Sequence, residues 1–124
     1  MNQPVYLAGS WADRPRLRGI RDELAALGIE VTSRWLDHEG VWILSPSWAA
    51  KDLADIDAAQ SLIVFTDVPS TAGGFHWESG YAFGRNKPII GVGPRTCLFH
   101  HLVPESDWYP AWPELRAALV GEGR

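Results

Sequence analysis

Glu78 stands in the stretch AGGFHWESGYAFGRNKPIIGVG, residues 72–93, between a glycine pair and an apolar run that has to be buried. A carboxylate near the start of a helix can simply answer the partial positive charge of the helix end. It can also be a nucleophile, provided that it stays ionised, is fixed in direction and faces an electrophilic carbon. Gly73 and Gly74 let the chain turn sharply ahead of the helix, Gly80 leaves room beside the carboxylate, and Tyr81 follows one turn later. His76 and Trp77 flank the position. A neutral imidazole there can hydrogen-bond a base or hydroxyl, and an indole can stack on a purine or pyrimidine. The residues alone leave the helix-end charge and the reactive carboxylate both standing.

A second acidic cluster lies in KDLADIDAAQ. On a helix Asp52 and Asp55 nearly share a face while Asp57 points elsewhere. Asp52 near a helix start is favourable without any chemistry; otherwise it reaches across a crevice to orient a substrate or exchange a proton with it. The first turn, YLAGSWADRPR, is a third candidate. Gly9 permits close approach of a ligand, Ser10 can donate a hydrogen bond, and Arg14 and Arg16 add positive charge beside a helix start. The turn lacks both the three-glycine dinucleotide fingerprint and the P-loop lysine.

Metal and serine chemistry are not expected. His100 and His101 are adjacent, so they point differently, and no third ligand follows at regular spacing. No G-x-S-x-G elbow is present. Cys97 is the single cysteine, which excludes an internal disulfide and suits a buried structural role. No cofactor is called for.

These groups need elements to position them. VYLA runs as a short strand into Gly9-Ser10. PRLRGIRDELAALG repeats Leu17, Ile20, Leu24 and Leu27 at helical spacing and stops at Gly28. IEVTSRW reads as a second strand, and LDHEGVWILSPS has no assignment. Ser47 is an N-cap candidate for WAAKDLADIDAAQ. SLIVFT is continuously apolar and should be a central strand. The loop DVPSTAGG, a helix over FHWESGYAFGR, the strand PIIGVG and a last helix in YPAWPELRAALV complete the alternation, with a short fifth strand expected between Leu98 and Trp108. This pattern implies an α/β layer sandwich with a mainly parallel sheet of four or five strands. Ligands in such folds bind beyond the C-terminal strand ends, where strand order reverses. That rule selects Gly9-Ser10, Thr66-Asp67 and Gly91 to Pro94 as rim residues.

The chain of 124 residues, 46% hydrophobic, is expected to form one domain over residues 1–124. Its 11 basic and 15 acidic residues are scattered, so no basic stripe is available for nucleic acid. No run approaches the roughly 18 apolar residues of a membrane helix, and a cytoplasmic location is the expectation. The seven tryptophans, several in polar surroundings, suit a pocket, a subunit contact or the core.

VYLAGSW, KDLADIDAAQSLIVFT and GGFHWESGYAFGRNKPIIGVG together resemble the nucleoside 2-deoxyribosyltransferase superfamily, including its relatives that hydrolyse deoxynucleoside monophosphates. The resemblance covers about residues 4–100 and implies a flavodoxin-like, Rossmann-like three-layer sandwich that binds a nucleoside or nucleotide. In it, Glu78 with Gly80 and Ala82 matches the E-x-G-x-A motif whose glutamate attacks the anomeric carbon. Asp52, with Leu53 and Ala59 in register, matches the aspartate that assists at the sugar or leaving base. Gly9-Ser10 matches a turn that surrounds phosphate in the nucleotide-hydrolysing relatives, and Tyr6 matches a residue near the sugar. Arg14, Asp67, Gly74, His76, Trp77 and Tyr81 complete the expected substrate contacts. Where transferases often carry an aspartate six residues before the nucleophile this chain has Ala72, with Asp67 or Ser70 as substitutes only if the loop folds back. Where a second acid often follows Asp52 it has Gln60, and it ends GEGR, with Glu122 near its end. The expectation is sugar transfer between bases, with hydrolysis to free base and nonenzymatic nucleotide binding as alternatives. The resemblance also implies a homo-oligomer such as a dimer.

Overall fold

The computed structural model describes residues 3–38, 46–69 and 74–122. Four strands, β1 (Val5–Ala8), β2 (Ser61–Phe65), β3 (Ile89–Val92) and β4 (Trp108–Tyr109), lie side by side in that order, each pair parallel. Helices α1 (Arg14–Ala26) and α2 (Pro46–Ala58) lie between β1 and β2, α3 (Gly74–Gly84) lies between β2 and β3, and α4 (Trp112–Glu122) follows β4. Short 3-10 turns occupy Trp11–Asp13, Arg34–Asp37, Leu98–Leu102 and Glu105–Asp107. The mainly parallel α/β sandwich expected from the alternation is therefore what forms, and its short last strand is β4. Much of the unassigned segment, the loop residues Ser70, Ala72 and Gly73, and the Glu122 side chain lie outside the described residues.

The strand expected over IEVTSRW is reduced to one bridge, Val31 beside Val5. The backbone begins a ladder there, since Val5 N–H donates to Glu30 and Thr32 N–H donates to Val5, each at 2.9 Å. Side chains then replace it. The Leu7 N–H donates to the Ser33 hydroxyl at 2.7 Å, and the Trp35 indole N–H donates to the Leu7 carbonyl at 2.9 Å. With both polar groups of Leu7 satisfied, the chain is free to turn into the 3-10 helix Arg34–Asp37. Val31 still marks a position outside β1, so the sheet runs Val31, β1, β2, β3, β4 and strand order reverses between β1 and β2.

That reversal separates the helices into two layers, because right-handed crossovers running in opposite directions along a sheet fall on opposite faces. α2 and α3 are clasped by Asp57, which accepts from Arg85 and from the Tyr81 hydroxyl, all at 2.9 Å. α1 and α4 meet through Glu23, bound by the Trp112 indole at 3.0 Å and Arg116 at 3.1 Å. Leu17, Ile20 and Leu24 are the buried face of α1 as their spacing requires, and Gly28 leaves that helix with a φ of 81° that favours glycine. All five residues of β2 are buried, as expected of a strand covered on both faces. α2 starts at Pro46, so Ser47 lies inside its first turn instead of capping it.

The far edge of the sheet depends on one small residue. Gly91 pairs with Trp108, and a Cβ on Gly91 would overlap the indole six-membered ring. The ring cannot swing away freely, because its N–H donates to the Gly93 carbonyl at 2.7 Å. Gly91→Ala is therefore expected to cost about 1–3 kcal/mol in overpacking. A urea unfolding curve with an unshifted midpoint would remove this account.

Candidate functional site

A hydrogen bond joins β1 to α3. Tyr6, fully buried in β1, projects towards α3 and donates its hydroxyl proton to Glu78 Oε2 at 2.7 Å. Glu78 is the fifth residue of α3, whose first turn contains no acidic side chain. Asp52 is likewise the seventh residue of α2, beyond a first turn without acids. Helix-end stabilisation acts within the first turn, so it accounts for neither carboxyl.

The two aspartates on α2 have separated duties. Asp55 is a strut: it accepts from the Arg34 backbone N–H at 3.0 Å and from the Arg34 guanidinium at 2.9 and 3.1 Å, while its carbonyl accepts from the Thr32 hydroxyl at 2.8 Å. Asp52 is unstrapped. Its Oδ1 is buried and has no hydrogen-bond partner among the described residues. A bare buried carboxyl oxygen is costly to retain.

Burial dominates the electrostatics of the group. It pushes the Glu78 carboxyl up to about 8, the Tyr6 hydrogen bond opposing this shift and the negative charge of Asp52 adding to it. Burial also raises Asp52 to about 6, with Asp55 raising it further and Arg34 pulling it down. The Tyr6 hydroxyl is held well above its ordinary value by burial and by the facing carboxyls, so it remains a proton donor. Both carboxyls are thus raised chiefly by burial, and the charge of Asp52 adds to the shift of Glu78.

The structure brings together Tyr6, Asp52 and Glu78 and distributes the other expected site residues around the fold. Gly9 packs tightly, since a Cβ there would lie 2.8 Å from a Leu17 methyl. Ser10 is buried, and its hydroxyl caps the next turn by accepting from Ala12 N–H at 3.3 Å. Arg14 lies 3.6 Å above the Trp11 ring and bonds the carbonyls of Trp11 and His38. Asp67 pairs with Arg16 at 2.7 Å and is thereby drawn towards α1. Gly74 is the first residue of α3.

Three expected neighbours of Glu78 are engaged elsewhere. Tyr81 is committed to Asp57, while His76 and Trp77 line a separate cavity with Cys97, Phe99 and His100. For His76 and Trp77 the reason is helical geometry: each step along α3 rotates a side chain by about 100°, so residues one or two positions from Glu78 leave its face. His76, Cys97 and His100 bring potential ligand atoms within 4.8 Å of one another, a grouping that the His100-His101 pair does not reveal.

Sequence reasoning also did not bring together three aromatic rings that meet near the start of α2. Trp11, the first residue of the 3-10 turn after β1, lies 5.7 Å from the His38 ring, which lies 4.1 Å from Trp48. Trp48 precedes Asp52 by four residues on α2 and shares its face. That spacing was the available signal, once the helix is known to begin at Pro46.

The fold is that of a flavodoxin-like α/β protein, and its candidate site holds two half-buried carboxyls whose pKa values are raised. No family model and no curated protein matches the chain. Solved structures do. A CMP N-glycosidase of Clostridium botulinum is 23% identical, covering 96% of this chain and 97% of that one, with a TM-score of 0.61. A 2-deoxyribosyltransferase of Bacillus psychrosaccharolyticus is 21% identical over 94% of this chain and 95% of that one, with a TM-score of 0.68. A conserved protein of Enterococcus faecalis V583 is 14% identical over 98% of this chain and 99% of that one, with a TM-score of 0.69. At these identities the likeness is one of fold, and it extends over nearly the whole chain. Among the described residues no helix is long and apolar enough to cross a membrane.

Proposed function

We propose that the protein cleaves the N-glycosidic bond of a nucleoside or nucleotide, with Glu78 as nucleophile, and transfers the sugar to another base. The observation that carries this reading is the Tyr6–Glu78 hydrogen bond beside the unpartnered Asp52 oxygen. Glycoside chemistry through a nucleophile needs one carboxylate to attack and a second group to manage the leaving-group proton. Two proteins that share the fold are named for a glycosidase and a deoxyribosyltransferase.

In the first step a Glu78 oxygen attacks the anomeric carbon. The bond from that carbon to the base nitrogen breaks, its electron pair leaves with the base, and the base takes up a proton carried by Asp52, directly or through water. In the second step the nitrogen of another base attacks the same carbon, the ester bond to Glu78 breaks, and the acceptor's proton passes to Asp52. At the moment of attack the proton of the pair has to be on Asp52 and Glu78 has to be ionised. Tyr6 then donates to the ionised Glu78 carboxylate and fixes its direction. Water in place of the second base gives the hydrolase reading, and the Ala72 position favours keeping that outcome in the same experiment.

Matched deoxynucleosides and deoxynucleoside monophosphates, incubated with and without an isotopically labelled acceptor base, separate the readings by mass spectrometry. Labelled nucleoside supports transfer. Free base with sugar or sugar phosphate replaces transfer by hydrolysis, and absence of both products across a broad substrate set from folded protein leaves a nonenzymatic nucleotide-binding protein. A homo-oligomer belongs to this proposal, and light scattering that returns the mass of a single chain removes it.

A further inference from the structure

The turn Leu98–Leu102, between β3 and β4, is tied to the chain before it by a buried histidine. Nδ1 of His100 accepts from the backbone N–H groups of Thr96 at 2.9 Å and Cys97 at 3.3 Å. The Cys97 thiol in return accepts from the His100 backbone N–H, which completes a reciprocal cap. Arg95 adds a second strap by donating to the carbonyls of His100 and Val103.

This arrangement admits one protonation state of the imidazole. A ring that accepts at Nδ1 is neutral and carries its proton on Nε2. An imidazolium has a proton on both nitrogens, so its Nδ1–H would point at two backbone N–H groups, and three donors would compete with no acceptor between them. Nothing at the other nitrogen offsets that loss, because Nε2 is buried and has no hydrogen-bond partner among the described residues.

The surroundings oppose the charge as well. His76 of α3 faces the ring at 5.6 Å, the uncharged Trp108 of β4 lies at 4.9 Å, and Arg95 and His101 flank it along the chain. Burial, then His76, Arg95 and His101, lower the His100 pKa from its ordinary 6.5. The same committed lone pair argues against a metal at His76, Cys97 and His100. A cation would have to take it from the two N–H groups, and without it two ligands remain, fewer than the three or four of a protein zinc site.

We propose that His100 is an acid-opened latch, which holds the turn Leu98–Leu102 closed while its ring is neutral and releases it when the ring takes up a proton. Opening withdraws one wall of the cavity lined by His76, Trp77, Phe99 and Leu102 and frees the Cys97 thiol from its hydrogen bond. The device is independent of the glycoside reading, because it involves neither Glu78 nor Asp52. Its direction follows from linkage. In the open turn the ring regains its ordinary pKa of 6.5, whereas in the closed turn the value is lower. As pH falls below 6.5 the open form binds a proton that the closed form refuses, so closure is complete above that pH and weakens beneath it.

Amide hydrogen exchange followed by NMR on the full chain, corrected for the intrinsic effect of pH, tests the latch. Protection of the Thr96 and Cys97 N–H groups should fall about tenfold between about pH 7.5 and about pH 5.5, while the amides of β2 keep theirs. Nitrogen shifts of the His100 ring at alkaline pH should report the proton on Nε2. His100→Asn retains a hydrogen-bond acceptor but does not titrate, and should hold the protection constant over this range. His76→Gln, at an exposed position, should leave the fall in place. A proton on Nδ1 at alkaline pH, protection that does not change, or β2 amides that lose protection in step would overturn the proposal. So would a fall that survives in folded His100→Asn or disappears in folded His76→Gln.

Discussion

Glu78→Gln is expected to abolish turnover, by at least about 10³-fold, and to yield a protein that is more stable than the original at alkaline pH. Glutamine keeps the size of the side chain and still offers an oxygen to the Tyr6 hydroxyl, so the β1–α3 contact survives. It cannot form the glycosyl ester. The stability gain follows from linkage. Folding raises the Glu78 pKa from 4.5 to about 8, so between those values the folded chain retains a proton that the unfolded chain releases. Protons bound preferentially by the folded state mean that stability falls as pH rises through this window. The neutral variant escapes that fall. Its advantage should be absent below about pH 4, grow through neutrality and level off above about pH 8 at roughly 2–4 kcal/mol. Parallel denaturation curves across pH, beside the product assay, test both halves. Retained turnover removes Glu78 as the nucleophile; turnover lost without the pH-dependent gain points to disruption of the fold instead.

Readability from sequence ended where contacts became long-range. The buried run SLIVFT, the periodic face of α1 and the glycine at its end follow from local rules, and each takes the form expected. The strand over IEVTSRW fails for a reason no propensity contains: the side chains of Ser33 and Trp35 take over the hydrogen bonds of Leu7. At the site, residue types point to Glu78 and the family resemblance places Tyr6 near the sugar, but the contact between the two spans 72 positions and is seen only in the fold. Asp52 and Asp55 look equivalent in KDLADIDAAQ. Only the tertiary position of Arg34 occupies one and leaves the other bare. His76 and Trp77 were attractive because they adjoin Glu78, yet a helix turns adjacent side chains onto different faces.

The pH dependence of turnover should separate a working carboxyl pair from two independently buried acids. The competent state in the proposed mechanism has one proton on the pair, carried by Asp52 when Glu78 attacks. Below about 6 both groups are protonated and no nucleophile is available; above about 8 neither is, and the departing base lacks its proton. A plot of kcat/KM against pH is therefore expected to be bell-shaped, with its plateau between those limits. Asp52→Asn should lower turnover by about 10²–10⁴-fold and change the shape of the profile. Asparagine donates no proton to the base, so the alkaline limb should vanish. It also removes a negative charge that raises the Glu78 pKa, so the remaining ascending limb should lie below about 8. A purely structural Asp52 would lower the rate without altering either limb. The altered shape, rather than the lost rate, is what assigns proton transfer to Asp52.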